Sequence, residues 1–242
     1  MTASTYDDIA EWYDELVGAG PARDDALYAA VLALAGAVAG LRLCDLGCGQ
    51  GRVARHLASL GAQVVGIDLS GRLLSIARRH ERAAPSGAAY VRDDAQGLRG
   101  VRDGVFDGVV CHLALMDVPE LAPTVRAVRR ILRPGGWLVF SILHPCYQTA
   151  ASGEATAADG TLRRTVGGYF VEGFWRSDER PGPPGRVGSH HRTLSTYLNA
   201  LTEFGLAVDR VAEPRATGDL AERRPVWREV PAFLVVRAVA AR

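Results

Sequence analysis

The sequence predicts an α/β fold, an open and mostly parallel sheet with helices on both faces. Three observations carry that expectation. Short apolar runs alternate with helix-period stretches from Leu41 to Leu143. One such alternation, Leu41 to Ser70, reads as strand, glycine loop, helix and a second strand closing on an acid. The 242 residues, 48% of them hydrophobic, suit one domain of this class with additions.

Composition narrows the partners. The formal charge is +1, and arginine supplies every fixed positive charge, so no global pull toward nucleic acid exists. The N-terminus shows no basic region followed by an apolar run, so no signal peptide is expected. The apolar stretch Ala29 to Leu41 is too short to span a bilayer. Cys44, Cys48, Cys111 and Cys146 form no C-x-x-C pair and read as reduced thiols. A cytoplasmic protein without a membrane partner is expected, as a monomer or homodimer.

The unit from Leu41 to Ser70 organises the chain. Leu41 to Leu46 is a buried strand, and Gly47, Gly49 and Gly51 follow at every second position. A helix runs from Arg52 to Leu60 and stops at Gly61. Val64 to Ile67 is the next strand, with Asp68 at its carboxyl end. Glycines leave backbone N–H groups open to a ligand at a helix N-terminus, and an acid beyond the second strand meets a sugar diol. That is the pattern of a nucleoside-containing cofactor site. A dinucleotide fingerprint needs a third glycine where Arg52 stands, so the register fails for NAD or FAD.

The run Asp45-Leu46-Gly47-Cys48-Gly49-Gln50-Gly51 resembles motif I, (D/E)-x-G-x-G-x-G, of the class I S-adenosylmethionine (SAM)-dependent methyltransferases. The resemblance implies a Rossmann-like, seven-stranded, mostly parallel sheet of order 3-2-1-4-5-7-6, with the seventh strand antiparallel between five and six. It implies SAM as cofactor, S-adenosylhomocysteine (SAH) as product, and a site built from Asp45, Gly47, Cys48, Gly49 and Gly51. Asp68, with Leu69 beside it, is then the ribose acid.

Ahead of this unit, residues 1–20 form an acidic, aromatic-bearing segment. Ile9, Trp12 and Leu16 stand at helical spacing, which predicts a helix packing on that face. The phrase Tyr6 to Asp14 also resembles the N-terminal segment of many small-molecule methyltransferases, which implies a lid with Tyr13, ahead of Tyr6, over the cofactor. Residues 22–39 predict a helix, with Pro21 near its start and Gly40 beyond its end.

After the unit, Ser70 caps a helix through Ala83, and Ala88 to Arg92 is the third strand. Asp94-Ala95 follows it and resembles the family's acid-alanine step at the adenine. Phe106 to Cys111 is the fourth strand, and by position His112 and Leu113 would meet the cofactor's amino group. The Leu115-Met116-Asp117 turn reads as packing. Residues 119–133 predict a helix, Pro134-Gly135-Gly136 a turn, and Trp137 to Leu143 the fifth strand.

Periodicity is then lost over residues 144–192, which read as a long cap insertion over the substrate. Tyr147, Tyr169, Phe174 and Trp175, with His190, are the expected wall of an apolar acceptor pocket. Arg163, Arg164, Arg176, Arg180, Arg186 and Arg192 keep such a flap soluble or supply a basic face. Helix resumes from Thr193 to Phe204, and Leu206 to Val211 and Val230 to Val239 are the last strands. One domain over residues 1–242 is expected: 1–40 lid and helix, 41–143 cofactor core, 144–192 cap, 193–242 closing helix and strands.

Methyl transfer needs cofactor and nucleophile on one axis and, for some acceptors, a base. No spacing spells a metal site, because His190 and His191 are adjacent and adjacent side chains rarely converge on one ion. His144, at the end of the fifth strand, and His191 are candidate bases, with Tyr13 a third catalytic candidate. The expected activity is methylation of a small-molecule acceptor, a secondary metabolite by its aromatic cap. The alternatives are an RNA or protein methyltransferase and a SAM-binding protein of this fold that does not methylate.

Overall fold

The computed structural model describes residues 6–18, 26–176 and 182–241. A 3-10 turn at Asp7–Ile9 leads into α1 (Ala10–Val17), and α2 covers Ala26–Ala35. The core follows as β1 (Arg42–Leu46), α3 (Arg52–Ser59), β2 (Gln63–Asp68), α4 (Gly71–Ala83) and β3 (Ala89–Arg92). It continues through β4 (Phe106–His112), α5 (Leu121–Ile131) and β5 (Leu132–Leu143). The chain then forms β6 (Gly153–Thr156), β7 (Leu162–Thr165), β8 (Gly173–Trp175), α6 (Pro183–Arg186) and β9 (Ser189–His191). It closes with α7 (Leu194–Glu203), β10 (Leu206–Ala212), α8 (Gly218–Arg223) and β11 (Phe233–Ala240).

Seven strands form one sheet in the order β10-β11-β5-β4-β1-β2-β3. Numbering only the strands of this sheet along the chain gives 3-2-1-4-5-7-6, the Rossmann-like order expected. β1 to β5 are parallel, and β11 runs antiparallel between β5 and β10. Strand residues alternate between two packed layers. Leu43, Val110 and Val139 meet Leu27, Val31 and Leu57 from α2 and α3, whereas Val109, Cys111 and Phe140 meet Val125, Ile131 and Leu201 from α5 and α7. Gly108 in β4 is required by this packing: a Cβ there would lie 2.4 Å from the Trp137 ring that crosses it.

Ser70 caps α4 as expected, its hydroxyl accepting the Leu73 N–H at 3.0 Å. Two expectations are corrected. The helix expected over 22–39 ends at Ala35, because Gly36 takes a left-handed conformation (φ +73°) and donates to Leu32 O; its expected start at Pro21 lies outside the described residues. The segment after β5 is not structureless. β6 pairs with β7 and β8 with β9 in two small antiparallel sheets, whose short strands carry too few alternations to register as periodicity.

Candidate active site

The chain reverses direction across the sheet between β1 and β4, and the carboxyl ends of the strands open there onto a cavity of about 420 Å³. Open α/β sheets bind ligands at this switch point. Gly47 and Gly49 line the cavity from the loop after β1, Asp68 and Leu69 from the end of β2, and Asp94 and Ala95 from the loop after β3. His112 and Leu113 line it from the end of β4, and Tyr6 and Tyr13 from the N-terminal segment.

The glycine loop is hung on β2 by hydrogen bonds from Gly47 and Cys48 N–H to Ile67 O, at 2.8 and 3.1 Å. Gly47 (φ +70°) lies so close to the turn after β4 that a Cβ would stand 2.4 Å from Ala114 Cβ. Three other residues of the motif turn away from the cavity. Asp45 is buried beneath the loop at 1% exposure, where the Ala54 N–H in the first turn of α3 donates to its carboxylate and Oδ2 has no partner among the described residues. Burial outweighs that hydrogen bond and raises its pKa to about 7. Cys48 Sγ packs against Gly66, and Gly51 is the left-handed residue entering α3, tight against the Tyr90 hydroxyl. Their place in the motif reflects how the loop is built.

Asp68 Oδ2 accepts the Gly49 N–H and Oδ1 accepts the Ser70 N–H, each at 2.8 Å. Burial pushes this carboxyl up while those two N–H groups pull it down. Asp94 Oδ1 accepts the Gln96 N–H at 2.9 Å, and Asp93 instead ties the loop through the N–H groups of Asp94 and Gly100. Leu113 adopts φ +52°, a conformation uncommon outside glycine, and its N–H is held by Ser141 O at 3.0 Å. The Ser141 hydroxyl also meets His112 Nδ1 at 2.8 Å.

The N-terminal segment packs differently from its helical spacing. Ala10, Tyr6 and Tyr13 sit on Leu73 and Ile76 of α4, whereas Leu16 is 55% exposed and Trp12 lies under the Arg186 guanidinium at 4.2 Å. Asp7 accepts from the Ser70 hydroxyl at 2.6 Å and the Arg72 N–H at 3.1 Å, and Asp14 accepts from His80 Nε2 at 2.9 Å. The two tyrosine rings meet edge to face, 5.3 Å apart. Asp117, which the sequence reads as packing, lines the cavity, and its Oδ2 accepts the Tyr6 hydroxyl at 2.9 Å.

Neither the expected cap residues nor the candidate bases His144 and His191 line this cavity. His144 is 2% exposed; its Nδ1 accepts the Cys146 N–H, so Nε2 carries the proton donated to Glu213 Oε1 at 2.8 Å. Burial lowers its pKa, and it braces the chain after β5. His191 Nε2 donates to Tyr169 O at 2.8 Å, and the Tyr169 hydroxyl accepts the Leu194 N–H. His190 and Trp175 line a separate void of about 10 Å³, Phe174 is 61% exposed, and Tyr147 packs toward Trp227. These aromatics hold the cap together rather than wall the large cavity. Arg164 donates to Tyr147 O and Ser152 Oγ, and Arg192 to Leu115 O and Pro119 O, so both turn inward; Arg180 lies outside the described residues.

A glycine loop facing an acid on the neighbouring strand, at the switch point of such a sheet, defines an α/β protein with a nucleoside-cofactor site. Residues 44–140 match the methyltransferase domain family. A SAM-dependent methyltransferase from Mesorhizobium loti is 36% identical, with 88% of this chain and 97% of that one covered at a TM-score of 0.75. A putative SAM-dependent methyltransferase from Listeria monocytogenes is 25% identical, covering 90% and 99% at 0.72. The chain belongs to the SAM-dependent methyltransferases. It is also 41% identical over 108 residues to a ubiquinone biosynthesis O-methyltransferase from Albidiferax ferrireducens, over 44% of this chain and 43% of that one. The chain thus spans less than half the length of the curated relatives it matches.

Proposed function

We propose that the chain binds SAM in the large cavity and methylates a hydroxyl oxygen of a small, neutral aromatic acceptor. The observation that carries this reading is the order of groups around the cavity: Gly47 and Gly49, then Asp68, then Asp94 and Ala95, each at the end of successive strands. In this reading Asp68 receives the ribose hydroxyls, and Asp94 with Ala95 faces the adenine edge. The loop glycines and the backbone at His112 and Leu113 hold the methionine part. The cofactor supplies an electrophilic methyl group on a sulfonium. Tyr6 and Tyr13 close over it and exclude water. The cavity fits such a ligand, because side chains at Gly47 and Gly49 would fill it or press on Ala114.

The oxygen acceptor is supported by the O-methyltransferase relatives, and the small aromatic acceptor by the tyrosines, Leu73, Val118 and Pro119 in the lining. An RNA acceptor would ask for a broad basic face; among the described residues no arginine lines the cavity, and Arg164 and Arg192 are engaged within the fold. Among the described residues no helix is long and apolar enough to cross a membrane, and a cytoplasmic enzyme is part of this reading. The test is incubation of tritiated SAM with simple phenols, total RNA and total protein. Label in the phenols alone is the expected result, and label in RNA or protein alone overturns the acceptor class.

A further inference from the structure

We propose that Asp117 is the base that takes the acceptor's proton, and that the Tyr6 hydroxyl orients it. The proposal rests on the methyl-transfer reading above and adds the residue that reading lacks.

The other carboxylates in the lining accept hydrogen bonds on both oxygens, from backbone N–H groups or, at Asp94 Oδ2, from the Gln96 side chain. Asp68 uses both oxygens on Gly49 and Ser70, Asp93 holds Asp94 and Gly100, and Asp94 holds Gln96. Asp117 differs. Its Oδ2 accepts the Tyr6 hydroxyl, while Oδ1 accepts no hydrogen bond among the described residues and belongs to a side chain on the cavity wall. One oxygen is anchored and the other is available.

Its position is at the methionine end of the cavity. Asp117 closes the short 3-10 turn Leu115–Asp117, and the residue leading into that turn, Ala114, touches the glycine loop at Gly47. The turn is fixed from behind by Arg192, whose guanidinium donates to the carbonyls of Leu115, Val118 and Pro119. A fixed backbone and an anchored Oδ2 leave the side chain little freedom, as an in-line reaction demands.

In the step itself the acceptor hydroxyl gives its proton to Asp117 Oδ1 as its oxygen forms the bond to the methyl carbon. The electron pair of the breaking carbon–sulfur bond stays on sulfur. A carboxylate and a sulfonium enter, and a neutral carboxylic acid and a neutral thioether leave. Charge is annihilated within a poorly solvated site, which favours the forward direction.

The groups around Asp117 are consistent with a base working near neutrality. Desolvation raises its carboxyl to about 7, the Tyr6 hydrogen bond acts in the opposite direction, and Asp68 adds to the rise. Tyr13, Cys111 and Tyr197 face it as neutral groups, their own pKa values raised by burial. Arg192 is the nearby fixed positive charge, spent on the turn's carbonyls.

The experiment compares wild type, Asp117→Asn and Tyr6→Phe, using phenol and catechol as acceptor probes and SAH calorimetry as the binding readout. Asp117→Asn is expected to lower kcat about 10²–10⁴-fold and leave SAH affinity unchanged. Tyr6→Phe removes the contact that holds the carboxyl down, so the acidic limb of its pH–rate profile moves to higher pH. Unchanged kcat in Asp117→Asn overturns the proposal, and so does parallel loss of kcat and SAH affinity, which would make Asp117 a cofactor ligand. An acidic limb that stays in place in Tyr6→Phe overturns the orienting role, and this variant keeps the proposal testable if the Asn variant folds poorly. A wild type that binds SAH yet methylates none of the probes overturns the base together with the hydroxyl acceptor. Failure to bind SAH or SAM at all overturns the function itself.

Discussion

The Gly49 N–H donates to Asp68 Oδ2 across 2.8 Å, so the loop after β1 and the acid after β2 form one piece. Asp68→Ala therefore removes an acceptor from the ligand and from the loop together. SAM affinity is expected to fall about 10–100-fold or more, from hydrogen bonds of about 1.5–3 kcal/mol each to a charged group. Calorimetry on the variant checks this, and unchanged affinity would remove Asp68 from the ribose role.

Two glycines of the same loop should fail in different ways. Gly49 faces the cavity, with Tyr13 Cε1 3.5 Å from the site of a Cβ, whereas Gly47 faces Ala114 at 2.4 Å. Gly49→Val is expected to abolish SAM binding and to lower the melting temperature through its own left-handed backbone (φ +55°), without the clash that Gly47 meets at Ala114. Gly47→Ala should lose binding and also cost about 1–3 kcal/mol from overpacking and a left-handed backbone. Thermal melts alongside calorimetry separate the two.

The N-terminal segment is held shut at both ends, by Asp7 on Ser70 and Arg72 and by Asp14 on His80. An Asp7→Ala, Asp14→Ala double variant should speed hydrogen exchange over residues 6–18 and lower turnover about tenfold. The melting temperature should move only a few degrees, on the order of 1–2 kcal/mol. Faster exchange with unchanged turnover would separate this segment from the reaction.

Asp45 makes stability depend on pH. Its folded pKa of about 7 lies above the unfolded value, so folding favours the protonated acid. The stability it contributes is complete below about pH 4 and declines as pH rises through about 7, at about 1.4 kcal/mol for each unit of elevation. Asp45→Asn keeps a side-chain oxygen for the Ala54 N–H and cannot ionise. Denaturant titrations at about pH 5 and about pH 8 should show a smaller decline in the variant, the remaining slope coming from groups such as Asp117. Equal declines would mean that Asp45 is not the titrating group.

The core was legible because its signals are local. Leu41 to Leu46, the alternate glycines and Asp68 lie within one stretch, and each element of the central sheet announces itself by an apolar run or a cap. The central strand order followed from that stretch through the family it resembles. The lining of the cavity was only half legible. Asp45, Cys48 and Gly51 share the motif but point away, Asp45 beneath the loop, Cys48 against Gly66 and Gly51 against Tyr90. Tyr6 and Asp117 meet across 111 residues, a contact that no spacing rule can reveal. His144, His191 and the cap aromatics lie outside the cavity lining for the converse reason. Their residue types suggest chemistry, but Glu213, Tyr169 O and Trp227, which engage them, are distant or featureless in the sequence.

The antiparallel insertion of β11 has a consequence for biosynthesis. β5 and β10 are both made before the strand that joins them, and β5 carries the apolar run Trp137 to Leu143. Until residues 233–240 emerge from the ribosome, that run presents an open edge of unpaired backbone groups, and β10 has no place in the sheet. The nascent chain is thus exposed to edge-to-edge association for the time taken to translate some hundred residues, about 5–20 s. Cellular yield should depend on how quickly that interval passes or on what shelters β5 during it.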